Sequence, residues 1–412
     1  MSHFDALETR DPEERERALF AALPELLAKA KRSAPFFAER LADIEPEDIT
    51  SREALARLPV TRKSELHALQ RRQLPFGGMT TVAPGALGKI FVSPGPIYDP
   101  EARHADYWRL ARSLYAAGFR AGDLVQNCFS YHLTPAGSML ESGLLALGCA
   151  VIPGGVGQTE LQVATMADLR PAGYTGTPSF LRILLEKADE LGHDFGFLKK
   201  ALVSGEAFPP SLRDALIARG VQAFQAYASA DLGAIAYETE AREGLVVDEG
   251  VIVEIVRPGT GEPVPAGEVG EVVVTVFNET YPLIRFGTGD LSAVLPGLSP
   301  CGRTNMRIKG WMGRADQTTK VRGLFVHPHQ IADVVRRFPV IRRARVVVDS
   351  LDGADRMRVL CALDGASAPE GLKQQVENAV RDVTRLRGEV EFVEASALPN
   401  DGKVIEDLRK VS

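Results

Sequence analysis

TPSFLRILLEKADELG (177–192), followed by ALVS (201–204) and VQAFQAY (221–227), decides how this chain folds. Thr177-Pro178 is a helix start, with a capping hydroxyl and a proline at the first helical position. Leu181, Leu184, Leu185 and Ala188 then fall on one face, and Gly192 closes the segment. The two short apolar runs that follow are too short for helices and read as buried strands. The same alternation extends toward the N-terminus. Residues 138–148 are helical between LVQNCF (124–129) and AVIP (150–153), and Leu110, Ala111, Leu114 and Tyr115 form a helical stripe ending at Gly118. Strands alternating with helices of this length predict an α/β fold with a mostly parallel sheet covered on both faces.

The pattern changes at both ends. Asp11-Pro12-Glu13-Glu14 opens an N-terminal helix with Leu19, Leu23, Leu26 and Leu27 on one face, and residues 43–66 read as short helices and turns. GVIVEIV (250–256) and EVGEVVVTVF (268–277), joined by PGTGEPVPAG, predict a smaller antiparallel layer. After residue 316 come two paired strands, ARVVVDS (344–350) and RMRVLCAL (356–363), a helix over 369–386 and a third strand, EVEFVEA (389–395). The expected organisation is a large N-terminal α/β domain, 1–315, with parallel sheets and a β-rich subdomain. A small mobile α+β C-terminal domain, 316–412, follows it.

Composition narrows the function. Among 412 residues, 48 Lys+Arg against 54 Asp+Glu leave a formal charge of −6, without the basic footprint that nucleic-acid binding needs. No apolar run is long enough to span a membrane, and the acidic N-terminus is unlike a signal peptide. Cys128, Cys149, Cys301 and Cys361 lie far apart, without metal-binding or disulfide spacing, and read as small buried thiols of a cytoplasmic protein.

Three polar clusters interrupt the apolar pattern. QAYASADLG (225–233) puts Tyr227 and Asp231 at a predicted strand end, where open α/β sheets bind ligands; taken alone, the stretch reads more readily as an ordinary strand exit with a solvated acid. LIRFGTGDLS (283–292) sets Asp290 on a predicted tight turn, where a carboxylate can accept two bonds from a ribose diol or simply occupy a hairpin. LPNDGKV (398–404) presents Lys403 on a turn that, alone, is ordinary surface.

Taken in order, SPGP (93–96), GTPS (176–179), SGEAF (204–208), AYASAD (226–231), RFGTGD (285–290), GRAD (313–316) and PNDGK (399–403) resemble the adenylate-forming superfamily of acyl-CoA synthetases, adenylation domains and luciferases. RSAPFFAERL (32–41), LPVTRKSEL (58–66), LPFG (74–77), SYHLTPAG (130–137) and GQTELQ (157–162) look like its phenylacetate–CoA ligase branch.

The resemblance implies an acid–thiol ligase that makes an acyl-adenylate from a carboxylic acid and ATP. It then turns its small domain and passes the acyl group to coenzyme A or another thiol. The implied cofactors are ATP/AMP, Mg²⁺ and coenzyme A; a homodimer is possible. Tyr227 is implied against adenine, with Ser204, Gly205, Glu206 and Ala228 lining the nucleotide. Asp290 is implied at the ribose, Arg314 at ribose and phosphate, and Asp231 at Mg²⁺. Lys403 is implied between carboxylate and α-phosphate, and Asp316 at the hinge. Tyr131, His132, Pro135 and Ala136 would form the acyl pocket, His132 either touching substrate or capping a helix.

The phosphate loop departs from the family pattern. VSPGPIYDPE (92–101) keeps Ser93 and Gly95, but prolines at 94, 96 and 100 remove N–H donors, and Asp99 and Glu101 add acids. The adenine loop departs too, as Ala228-Ser229-Ala230-Asp231, and it lacks the hydroxyl implied at the α-phosphate unless Ser229 substitutes for it. A second reading therefore stands beside the ligase: a relative that makes no adenylate from ATP, accepting a preformed one or serving as a partner subunit.

Overall fold

Four of the apolar runs, together with Gly173–Gly176, which the sequence pattern leaves unassigned, form the parallel centre of a nine-stranded sheet. In the computed structural model, which describes residues 3–315, 319–322, 324–326, 328–351, 354–363, 368–398 and 403–409, these strands lie in the order Ala150–Pro153, Leu124–Asn127, Gly173–Gly176, Lys200–Val203 and Gln222–Ser229. The sheet then continues antiparallel through Gly233–Glu238, Leu245–Val247, Arg307–Ile308 and Val294–Leu295. Helix Pro178–Glu190 forms as its sequence dictates. The Thr177 hydroxyl accepts the Phe180 N–H, and Leu181, Leu184, Leu185 and Ala188 are buried with Tyr174, Ala201 and Val203. Each fully buried leucine there contributes roughly 1.5–3 kcal/mol.

The β-rich layer is a four-stranded sheet in the order Thr61–Arg62, Phe286–Ser292, Gly270–Val276 and Val251–Val256. Helix Pro12–Ser33, capped by Asp11 on the Glu13 and Glu14 amides, shares its core through Leu19, Leu23 and Leu27. One expectation is corrected. Gly-Thr-Gly-Asp (287–290) lies within strand Phe286–Ser292, not on a turn. The Thr288 hydroxyl accepts the Asp290 N–H (3.1 Å), and Gly289 takes φ +77°, a left-handed conformation that favours glycine. The strand survives these irregularities because both its neighbours and Arg285 hold it.

From residue 319 onward the chain builds a separate sheet, in the order Glu389–Val393, Ala354–Leu363, Ile341–Leu351 and Ile405–Asp407. Val376 and Val380 of helix Leu372–Thr384 close its core over Val346, Val348 and Val359. Strand Ile405–Asp407, which pairs parallel with Ile341–Leu351, is not evident from the sequence pattern. Asp316 and residues 399–402 of the PNDGK motif lie outside the described residues. The four cysteines are buried and free, and among the described residues no helix is long and apolar enough to cross a membrane.

Candidate functional site

Tyr227, near the end of the last parallel strand, crosses to the β-rich sheet. Its hydroxyl donates to Asp290 Oδ2 (2.9 Å) and lies 3.2 Å from the Thr288 hydroxyl. Burial, and then the Asp290 carboxylate, push its phenol well above the ordinary tyrosine range, so it stays a donor. Asp290 Oδ1 accepts from Arg314 (3.2 Å) and from the Trp311 indole N–H (3.2 Å). The exposed Trp311 is absent from the sequence reading, because its partner lies on another strand and only tertiary packing joins them.

Asp231 is not a solvated strand-exit acid. Its side chain is 0% exposed, and Oδ2 meets the Lys63 ammonium at 2.6 Å and the Ser229 hydroxyl at 3.3 Å, while Oδ1 is buried without a partner. Burial pulls the Lys63 pKa down, but the Asp231 carboxylate more than offsets it, leaving Lys63 above the ordinary lysine value. Sequence reasoning missed Lys63. The available signal was its place as the first residue of helix Lys63–Arg72, where the helix dipole disfavours a cation unless an acid compensates.

The stretch 92–101 is not an open loop. Strands Lys89–Ser93 and Ile97–Glu101 pair antiparallel, with Ser93 opposite Ile97, so residues 94–96 are a hairpin tip. Of these, only Gly95 carries a backbone N–H. The expectation that Asp99 and Glu101 add negative charge to a phosphate site is corrected too. Glu101 pairs with Lys89 (3.1 Å) and accepts from the Trp108 indole (2.7 Å) and the Ser138 hydroxyl (3.0 Å). Asp99 is wholly buried with no donor at full hydrogen-bonding geometry, although Ser93 lies close enough to hold its carboxyl down in part, and the Ser93 hydroxyl is likewise buried. Burial, and then the Asp231 carboxylate, push the Asp99 carboxyl well above its usual range.

This burial has a measurable consequence. Between pH ~4, where an unfolded aspartate titrates, and the raised native pKa, the native state holds a proton that the unfolded state has lost. Stability contributed by Asp99 is therefore full below that window and falls as pH rises through it. Asp99→Asn removes the dependence. Its melting temperature relative to wild type is expected to rise between pH 4 and pH 8; a difference that stays constant would show Asp99 ionised throughout.

An apolar cavity of about 230 Å³ lies at the carboxyl ends of the parallel strands, walled by Leu110, Phe129, Met139 and Leu202 together with Pro135 and Ala136. Ser204, Gly205 and Ala228, read from the sequence as nucleotide residues, also line this cavity. Gly205 takes φ +86°, and the Ser204 hydroxyl donates to the Ala226 carbonyl (2.8 Å). Glu206 is turned away, accepting the Ser179 N–H (2.6 Å). Tyr131 and His132 do not line the cavity. The Tyr131 hydroxyl accepts from Asn127 (2.7 Å), and His132 is exposed. A second cleft, of about 510 Å³, brings Lys403 together with Trp311 and Arg314; Lys403 also lies 3.9 Å from Glu406.

The donor set does not suit a magnesium ion held by Asp231 as arranged. The ion would share its carboxylate with an ammonium, and among the described residues no three His, Cys, Asp or Glu side chains form a metal group.

A family model described as AMP-binding enzyme matches residues 115–276. The chain is 32% identical over 358 residues to phenylacetate-coenzyme A ligase of Thermus thermophilus, covering 82% of this chain and 79% of that one. It is 27% identical over 435 residues to the Escherichia coli phenylacetate-coenzyme A ligase, covering 99% and 98%. Among solved structures, 2-hydroxyisobutyryl-CoA ligase in complex with 2-HIB-AMP and CoA superposes with a TM-score of 0.72 at 25% identity, covering 98% of this chain and 92% of that one.

Proposed function

Because this chain belongs to the phenylacetate–CoA ligase family of AMP-binding enzymes, we propose that it activates a carboxylic acid with ATP and transfers the acyl group to coenzyme A. In the first step a carboxylate oxygen attacks the α-phosphorus, and the phosphorus–oxygen bond to pyrophosphate breaks. In the second, the thiol sulfur attacks the acyl carbon and AMP leaves. The observation that carries this reading is the joining of two sites along residues 226–230. Tyr227 points to Asp290, while Ala226 and Ala228–Ala230 wall the apolar cavity.

In this reading the Tyr227 ring packs on adenine, and Asp290 exchanges Tyr227, Trp311 and Arg314 for the ribose hydroxyls. Arg314 and Lys403 carry the α-phosphate. The uncharged walls of the cavity suit an apolar acyl group, aromatic or branched, and give a second carboxylate no cation to pair with. Residues 316–412 act as a lid that turns between the half-reactions, with Asp316 at the hinge, so that one cleft serves two reactions in sequence. The ATP and coenzyme A requirement fits a cytoplasmic setting.

The proline-bounded hairpin favours the second reading, in which the chain takes a preformed acyl-adenylate. Acid-dependent ATP–pyrophosphate exchange across a panel of apolar monocarboxylic acids separates the two. Exchange with at least one acid is expected, together with calorimetric affinity for AMP above that for ATP, since the hairpin tip offers a single N–H to the β- and γ-phosphates. No exchange with any acid, but thioester formation from supplied acyl-adenylate, would establish the second reading instead.

A further inference from the structure

We propose that Lys63 is the residue that holds the pyrophosphate end of the nucleotide, a specificity role that the hairpin at 94–96 is built unable to fill. The inference rests on the reading of this cleft as a nucleotide site. A polyphosphate entering a partly buried cleft must find cations or N–H donors in exchange for water. The hairpin tip offers one N–H, and the neighbouring Asp99 is wholly buried and supplies no cation.

Lys63 is fixed between the two elements that frame the cleft. It follows strand Thr61–Arg62, which pairs with Phe286 and Gly287 at the start of the strand carrying Thr288 and Asp290. Its helix is clamped to the hairpin by Gln70, whose side-chain amide accepts the Tyr98 N–H (2.8 Å) and donates to the Tyr98 carbonyl (2.9 Å), one residue from Asp99. Asp231 fixes the ammonium at 2.6 Å, but the Lys63 side chain is 27% exposed where that of Asp231 is 0%. The Lys63 side chain thus keeps some solvent access while paired with Asp231, and its charge is felt by Asp99 and Arg314 as well. It carries three N–H donors, and Asp231 takes one. Helix Lys63–Arg72 has no side-chain cap at Arg62, which leaves its first-turn amides without that acceptor. Lys63 donates hydrogen bonds to the departing pyrophosphate and no proton transfer is required, since the electron pair of the broken bond stays on oxygen.

The test compares nucleotides on one protein. In wild type, Lys63→Arg and Lys63→Met, the affinities for AMP and for ATP are measured by calorimetry, beside pyrophosphate exchange and thioester formation from supplied acyl-adenylate. Lys63→Met is expected to weaken ATP at least 10-fold and to lower exchange about as much, with AMP affinity and thioester formation within 3-fold of wild type. Lys63→Arg, which keeps the charge and the Asp231 pair, is expected to retain most of the ATP affinity. Equal losses for AMP and ATP in Lys63→Met would make Lys63 a structural partner of Asp231 and overturn the proposal, as would unchanged ATP affinity. An Arg variant as defective as the Met variant would also overturn it. A wild-type protein that binds neither nucleotide would instead remove the nucleotide reading on which the proposal stands.

Discussion

Lys403→Ala is expected to lower acid-dependent pyrophosphate exchange ~100–1000-fold, roughly 2.7–4 kcal/mol of transition-state stabilisation, the usual cost of losing one preorganised charge at a developing anion. Thioester formation from supplied acyl-adenylate should stay close to wild type. The expectation has two parts. Lys403 shares a cleft with Arg314 and Trp311, both bonded to Asp290, and in the proposed reading its ammonium bridges the carboxylate and α-phosphate there. The proposed lid rotation then carries it away before the thiol arrives. Exchange in the mutant equal to wild type would return Lys403 to a solvated turn residue. Equal loss in both half-reactions would mean the lid does not turn.

Arg285→Met should destabilise the protein by ~3–5 kcal/mol, the cost of stranding one member of a buried ion pair. Arg285 is 1% exposed. Its guanidinium pairs with Glu254 through two 3.0 Å bonds and donates to the carbonyls of Ala56 (2.7 Å), Leu58 (2.5 Å) and Gly261 (2.7 Å). Removing it leaves three carbonyls without a donor and a carboxylate that burial already pushes above its usual range, opposed chiefly by Arg285. Arg285 also precedes the strand bearing Thr288 and Asp290 and ties it to the segment leading into Lys63, so nucleotide affinity should fall with stability. Urea unfolding measures the effect. Replacing Glu254 by Met in the same chain should restore part of the loss, because no unpaired charge then remains; a single-mutant loss below about 1 kcal/mol would contradict a tightly coupled pair.

How much could be read beforehand depended on how local the cause was. Four of the five parallel strands, helix Pro178–Glu190 with its Thr177 cap, the β-rich layer and the C-terminal strand pair were legible, because periodicity, caps and glycine stops act over a few residues. The ordered motifs were legible as well, since their spacing is a property of the chain. Asp290, Arg314 and Tyr227 were named from those motifs, and their mutual contacts follow from the sheets that join them.

The character of the phosphate end could not be read that way. A run of prolines and acids at 92–101 looked like an eroded, negatively charged loop, whereas pairing made it a hairpin, Lys89 neutralised Glu101, and packing buried Asp99. Lys63, Asp99 and Asp231 stand far apart in sequence, and it is the meeting of a helix start, a hairpin and a strand end that sets one carboxylate against an ammonium and leaves another unpaired. Charge and burial depend on neighbours in space rather than in sequence, and the energy of removing a charge from water is decided only when the last of those neighbours arrives. The sequence determined the fold and the chemistry-bearing residue types by itself; only the tertiary structure decided which of those residues are charged, paired and open to a ligand.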